Sequence, residues 1–250
     1  MNEDNALRVV KAVRIFENSS SKPMLVQAGA YGRSKDDRAH QYWVVKLAGS
    51  GQGPVGLLTE LIASKIARAF GIKTPDAKPI WLPHDFPWQI GTDEFDEMLQ
   101  RSYGWNLALR YVKYSRVATM SDVEAMPASF LRKLLALDTF LHNVDRTIAN
   151  TNLLIDARGQ PVAIDHGSVL FISRALQGGR SEMSLAKGHL LAGTEYCKNS
   201  NARPSAEAID WRSLLADVPD DWIGAAGTDR SDLARALRTY AESYDEAQFP

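Results

Sequence analysis

Apolar residues along this chain change their spacing from one stretch to the next, and the spacing predicts the elements. "MLVQAGA" (Met24 to Ala30) and "QYWVVKL" (Gln41 to Leu47) are short, β-branched or apolar runs and read as strands, joined by the charged loop "YGRSKDDRAH" as a long hairpin. "ENSSSKP" before them reads as a polar turn, and the Ser19–Ser21 run as flexible turn residues. After the breaker "GSGQG", Leu58, Ile62, Ile66 and Phe70 repeat at i, i+4, with Pro54 near the start and Gly71 at the end, so this segment is predicted helical. "AKPIWLP" reads as a strand, "TDEFDEMLQRS" as a short capped helix, and "NLALRYVKYS" as a strand leading outward.

The second half differs. "PASFLRKLLALDTFLHN" carries Phe130, Leu134, Leu137 and Leu141 on one stripe and is predicted helical. A loop, a strand, a "DARG" turn closed by Gly159 and a second strand follow, and beyond Arg174 helices are expected around 184–191, 206–215 and 231–247. Trp211 and Trp222 are expected to pack between helices. The predicted fold class is α+β with two lobes, a small β-rich lobe over 1–112 and a mainly helical lobe over 113–250, sharing a cleft.

Composition narrows the function classes. The 250 residues are 45% hydrophobic and 24% charged with a net charge of −1, so no basic field points to nucleic acid. A single cysteine, Cys197, excludes an internal disulfide and a cysteine-based zinc site, and the five histidines form no HExxH pattern. The acidic start "MNEDNALRVV" is unlike a signal peptide, and no run approaches the roughly 18 apolar residues of a membrane helix. The expectation is a soluble, cytoplasmic protein.

The chemistry concentrates in "HNVDRTIANTNLLIDARGQPVAIDHGSVLF", His142 to Phe171. Asp145 and Asn150 sit in one loop, and a hairpin then folds Asp165 back toward Asn150. Asn150 and Asp165 offer the hard oxygen atoms that Mg²⁺ takes alongside waters and phosphate oxygens. Asp145 is then left to accept a hydrogen bond from an attacking hydroxyl, and the set suits phosphoryl transfer. Singly, each of these residues also has a plain reading as a cap or an Asx turn. Two more residues weigh against that. Lys46 ends an apolar strand, where burial demands a partner, and Glu60 is the only acid of the helix that follows, off its apolar stripe; a solvated glutamate is the competing reading.

The order strand lysine, helix glutamate, Asp-x-x-x-x-Asn and Asp-x-Gly resembles the protein-kinase-type fold. The wording of "WVVKL", "TELIASKIARAFGIKTP" and the quoted stretch resembles the compact members of the HipA-like kinase family, from about Leu25 to Phe171. The resemblance implies ATP and Mg²⁺ as cofactors, Lys46 on the nucleotide phosphates with Glu60 as its partner, and Asp145 as catalytic base. It implies Asn150 and Asp165 as metal ligands, the strand around Leu109–Lys113, with Arg110, Tyr111 and Val112, as the hinge over adenine, and Arg146 placing a phosphate or substrate. Asn152 is assigned either a polar contact near the metal or backbone support. The glycine-rich phosphate loop is weak, with only Gly29 and Gly32, and Gly32, Arg33 and Ser34 are its candidates. His166 replaces the usual aromatic residue of the triplet, and no activation segment is recognisable. The expected activity is ATP-dependent phosphorylation of Ser or Thr of a protein, with a regulatory or antitoxin partner in view. The alternatives are a small-molecule or lipid kinase of the same fold, and a non-catalytic nucleotide-sensing module.

Overall fold

Every second residue of the strand Gln41–Lys46 turns inward: Trp43 and Val45 are buried, while Tyr42, Val44 and Lys46 occupy the other face. This strand belongs to a closed barrel in a computed structural model, which describes residues 6–17, 19, 21–30, 41–51, 53–86, 92–179, 185–198 and 209–246. The architecture is mixed α+β. The chain divides into two compact units that are discontinuous in sequence: Met1–Leu61, Asp76–Tyr111 and Asp217–Gly227 form one, and Ile62–Pro75, Val112–Ala216 and Thr228–Pro250 the other. Among the described residues no helix is long and apolar enough to cross a membrane.

In the first unit β1 (Leu7–Ile15), β2 (Met24–Ala30), β3 (Gln41–Lys46), β4 (Ala77–Leu82) and β5 (Gly104–Arg110) close in the order β1-β2-β3-β5-β4. Pairing is antiparallel except where β1 meets β4, Leu7 opposite Ile80 and Arg8 opposite Trp81, a short parallel contact that closes the ring. The barrel core holds Val9, Met24, Val26, Trp43, Val45, Leu47, Ile80 and Leu82. Helix α1 (Gly53–Ala69) follows β3, and α2 (Asp93–Gln100) adds Phe95, Met98 and Leu99 to the core. The start of α2 is fixed by Thr92, whose hydroxyl accepts from the Phe95 N–H, and by three acids in the first turn that favour the positive end of the helix dipole.

Gly49, just after β3, lies against α2. A Cβ there would stand 2.3 Å from the Met98 carbonyl oxygen, a backbone atom that cannot swing aside, and 2.8 Å from Ser102 Oγ. Gly49→Ala is therefore expected to lower the unfolding free energy by about 1–3 kcal/mol, read from denaturant midpoints. A parent-like midpoint would mean that α2 does not bear on this turn.

The second unit is mainly helical. Helix α4 (Ala128–Leu141), preceded by α3 (Met120–Glu124), carries the buried Leu134, Leu137 and Phe140. The rings of Phe70, Phe171, Tyr240 and Tyr244 surround Phe140 at centroid distances of 5.4, 6.2, 5.9 and 5.0 Å. A small sheet, β6 (Arg116–Val117), β7 (Leu153–Ile155) and β8 (Pro161–Ala163), follows α4 in space as a hairpin with one added strand. The hairpin turn forms where the sequence places it: Gly159 has φ +73°, and Asp156 Oδ1 accepts from the N–H groups of Arg158 and Gln160. α5 (Phe171–Leu176), α6 (Glu195–Lys198) and α7 (Trp211–Leu215) come next, α8 (Asp220–Ala225) belongs to the first unit, and α9 (Arg230–Glu246) ends the chain's described part. Trp211 and Trp222 are buried, as the sequence suggests. The expected helix around 184–191 is corrected: the described residues 185–191 form turns, because Gly188 takes φ +86° and His189 bridges to Thr147. The expected helix over 206–215 is confined, among the described residues, to Trp211–Leu215, started by the Asp210 side chain; 184 and 206–208 lie outside the described residues.

Candidate active site

The residues that the sequence singles out fall in two groups, one in each unit. In the first, Lys46 closes β3 on the face opposite Trp43 and Val45, and its Nζ lies 2.5 Å from Glu60 Oε2 on α1. The glutamate side chain is 2% exposed and the lysine 14%. A carboxylate so far from water is tolerated only when paired, so the solvated reading of Glu60 does not hold.

Arg110 ends β5 and Tyr111 follows it, so the strand stops short of the expected run through Ser115. The Arg110 guanidinium stacks over the Trp43 ring at 5.2 Å, and the Arg110 and Tyr111 N–H groups donate to the carbonyls of Asp76 and Tyr42. The Val112 carbonyl accepts from the Ser115 hydroxyl at 2.8 Å. Gly32, Arg33 and Ser34 lie outside the described residues.

In the second unit the site begins where α4 stops. His142 takes a left-handed conformation, φ 49°, which turns the chain out of the helix axis. Asn143 then organises the turn: its Oδ1 accepts from the N–H groups of Asp145 and Arg146 at 3.0 and 3.3 Å. The half-buried Asp145 carboxylate is held on one side only. Its Oδ2 accepts from the side-chain amides of Asn150 at 3.0 Å and Asn152 at 3.1 Å. Its Oδ1 takes no hydrogen bond among the described residues and stays an acceptor. A two-way Thr147–Asn150 backbone turn, 2.9 and 3.2 Å, presents Asn150 at the surface.

The hairpin does the rest. Leu153 lies opposite Ala163, and the Ile164 N–H donates to the Asn152 carbonyl at 3.0 Å, so the chain returns Asp165 beside Asn152, two residues from Asn150. Asn152 and Asp165 have φ of 48° and 55°, a region that costs an ordinary residue roughly 1–2 kcal/mol and that Asn and Asp tolerate best. Such strain persists because the hairpin and the loop hydrogen bonds over-determine it. The amide oxygen of Asn150 and the carboxylate of Asp165 are a hard, oxygen-only donor set, and no group of three or more His, Cys, Asp or Glu residues able to hold a metal occurs among the described residues. That set fits Mg²⁺ keeping waters and phosphate oxygens, and does not fit a closed structural site.

Arg146 is placed differently from the sequence expectation of a phosphate or substrate contact. Its guanidinium has no exposure and is engaged on every side: Nε to Asp138 Oδ2 at 2.7 Å, and Nη1 to the carbonyls of Thr151 at 3.2 Å and Asn152 at 2.6 Å. Nη2 lies 3.5 Å from His166 Nδ1. Asp138 and His189 are the residues that sequence reasoning passed over. Burial alone would raise the Asp138 pKa, but the Arg146 charge, the His189 contact and the Asn143 amide outweigh it and hold the carboxyl well below the ordinary range. A lone acid within the apolar stripe of "LLALDTFL" was a usable signal for a buried charge pair; His189, far along the chain, had none.

A family model for HipA-like kinases matches residues 30–249, so the likeness continues past Phe171 through the helices that follow it. Among solved structures, the chain is similar to the crystal structure of a Helicobacter pylori proinflammatory kinase, CtkA, at 12% identity and a TM-score of 0.48, over 93% of this chain and 90% of that one. No curated protein matches the chain.

Proposed function

The chain belongs to the HipA-like kinase family, and from that premise we propose that it transfers the γ-phosphate of ATP, as its Mg²⁺ complex, to the hydroxyl of a protein Ser or Thr. The observation that carries this reading is the one-sided grip on Asp145, whose Oδ2 is bound by Asn150 and Asn152 while Oδ1 remains an acceptor. A carboxylate held in that way orients a hydroxyl and takes its proton as the phosphorus–oxygen bond forms. Lys46, fixed by Glu60, neutralises phosphate charge, and Val112 with its neighbours Arg110 and Tyr111 lines the adenine side. Asn150 and Asp165 hold the magnesium ion, which when bound offsets the charge of the phosphate oxygens. Arg146 acts on the loop and not on the phosphate, since its guanidinium is buried. Gly32 remains our candidate for the phosphate loop. The two-lobed kinase layout belongs to this proposal as well.

The test uses γ-labelled ATP, magnesium and a host lysate with the purified chain and its Asp165→Ala variant. Label on Ser or Thr of the chain or of a discrete lysate protein is expected, and the variant is expected to lose magnesium-dependent nucleotide affinity by at least about tenfold. Label in a small or lipid-soluble product would move the acceptor class away from protein. Unchanged MgATP affinity in Asp165→Ala would remove the metal assignment.

A further inference from the structure

Resting on the reading of Asp145 and Asp165 given above, we propose that His189 and Asp138 are positioning residues: they seat the buried Arg146 guanidinium and, through it, the two loops that carry those carboxylates.

Three donors from two segments, the loop after α4 and the segment around His189, converge on the Asp138 carboxylate. Asn143 Nδ2 donates to Oδ1 at 2.9 Å, while Arg146 Nε at 2.7 Å and His189 Nε2 at 3.0 Å reach Oδ2. The histidine's tautomer follows from its other nitrogen. Nδ1 accepts from the Leu191 N–H at 3.1 Å, so the ring proton sits on Nε2 and points at Asp138.

The remaining guanidinium nitrogens reach both halves of the site. Nη1 binds the carbonyl of Asn152, whose own side chain grips Asp145 Oδ2. Nη2 faces Nδ1 of His166, the residue after Asp165, and His166 Nε2 lies 3.5 Å from Thr74 Oγ1. This gives a physical reason for histidine at the middle of the triplet: an aromatic hydrocarbon ring would offer Arg146 no acceptor. A small rotation of the guanidinium therefore shifts the Asp145 clamp and the Asp165 backbone together. The segment around His189 lies directly on the loop, with the Leu190 N–H donating to the Arg146 carbonyl at 3.0 Å and Thr147 bridged to His189. A side chain serving only to fill space at 3% exposure would be apolar, since an unused imidazole there is unfavourable.

His189→Gln keeps an N–H donor near the Nε2 position, whereas His189→Met keeps volume and loses the donor. The Met variant is expected to reduce kcat by about 10–100-fold with KM for MgATP within about threefold, and to speed amide hydrogen exchange at Asp145–Asn152. The Gln variant is expected to restore most of both. A Met variant with the parent's kcat and the parent's exchange in that loop would overturn the proposal, as would a Gln variant no better than Met. Nitrogen-15 shifts of the His189 ring in the unmodified protein give a check that needs no variant to fold: a protonated Nε2 with a bare Nδ1 supports the network, and the opposite tautomer overturns it. Should the parent chain transfer no phosphate, the kinase reading fails, and the exchange and ring measurements still decide the positioning role.

Discussion

Asp145→Asn is expected to leave MgATP affinity within about twofold of the parent and to slow phosphate transfer by on the order of 10²–10⁴-fold, the range for losing a general base. The substitution keeps the shape of the side chain. A carbonyl oxygen in the Oδ2 position still accepts from Asn150 and Asn152, so the loop retains its clamp. The Oδ1 position, by contrast, becomes an NH₂ group that donates where a proton must be accepted. Binding and chemistry are thus separated in one variant. Calorimetry with MgATP and single-turnover transfer measure the two halves. Parent-like turnover would end the role of Asp145 as base, and a collapse of MgATP affinity would place it among the metal or nucleotide contacts instead.

How far the sequence disclosed this site depended on whether the signal was local. β3 and α4 are read from their periods, and the need of Lys46 for a partner from its place at an apolar strand end, while Glu60 as that partner comes from the family resemblance. The return of Asp165 toward Asn150 follows from one hairpin whose turn residues are unmistakable. β1 escaped because register shifts between Val9 and Lys11 and between Ala12 and Arg14 break the alternation, and because charged residues occupy its outer face. The leucines of 185–191 suit a helix, yet Gly188, the hydrogen bond of His189 to Asp138 on α4 and that of the Leu190 N–H to the loop prevail over local propensity. Arg146, directly after Asp145, is tied to a phosphate or substrate only by the family resemblance. Adjacent residues on a tight turn point in different directions, and only the three-dimensional structure shows Asp138 waiting inside.

The buried Asp138 gives the largest expected effect on stability. Asp138→Ala removes one partner of a fully buried ion pair and leaves the Arg146 charge without it, together with the amide of Asn143 and the Nε2–H of His189. Breaking such a pair is expected to lower the unfolding free energy by about 3–5 kcal/mol. Because the folded-state carboxyl titrates below its ordinary range, its stabilisation is present above that range and is lost as the pH falls through and below it. Asp138→Ala should therefore flatten the acid limb of the stability profile. Replacing both partners, Asp138→Leu with Arg146→Met, removes the charges together and should be less harmful than the two single losses added. A double-mutant cycle from denaturant midpoints measures that difference. If the losses simply add, Arg146 draws its support from the Thr151 and Asn152 carbonyls alone, and Asp138 is not the anchor of the loop.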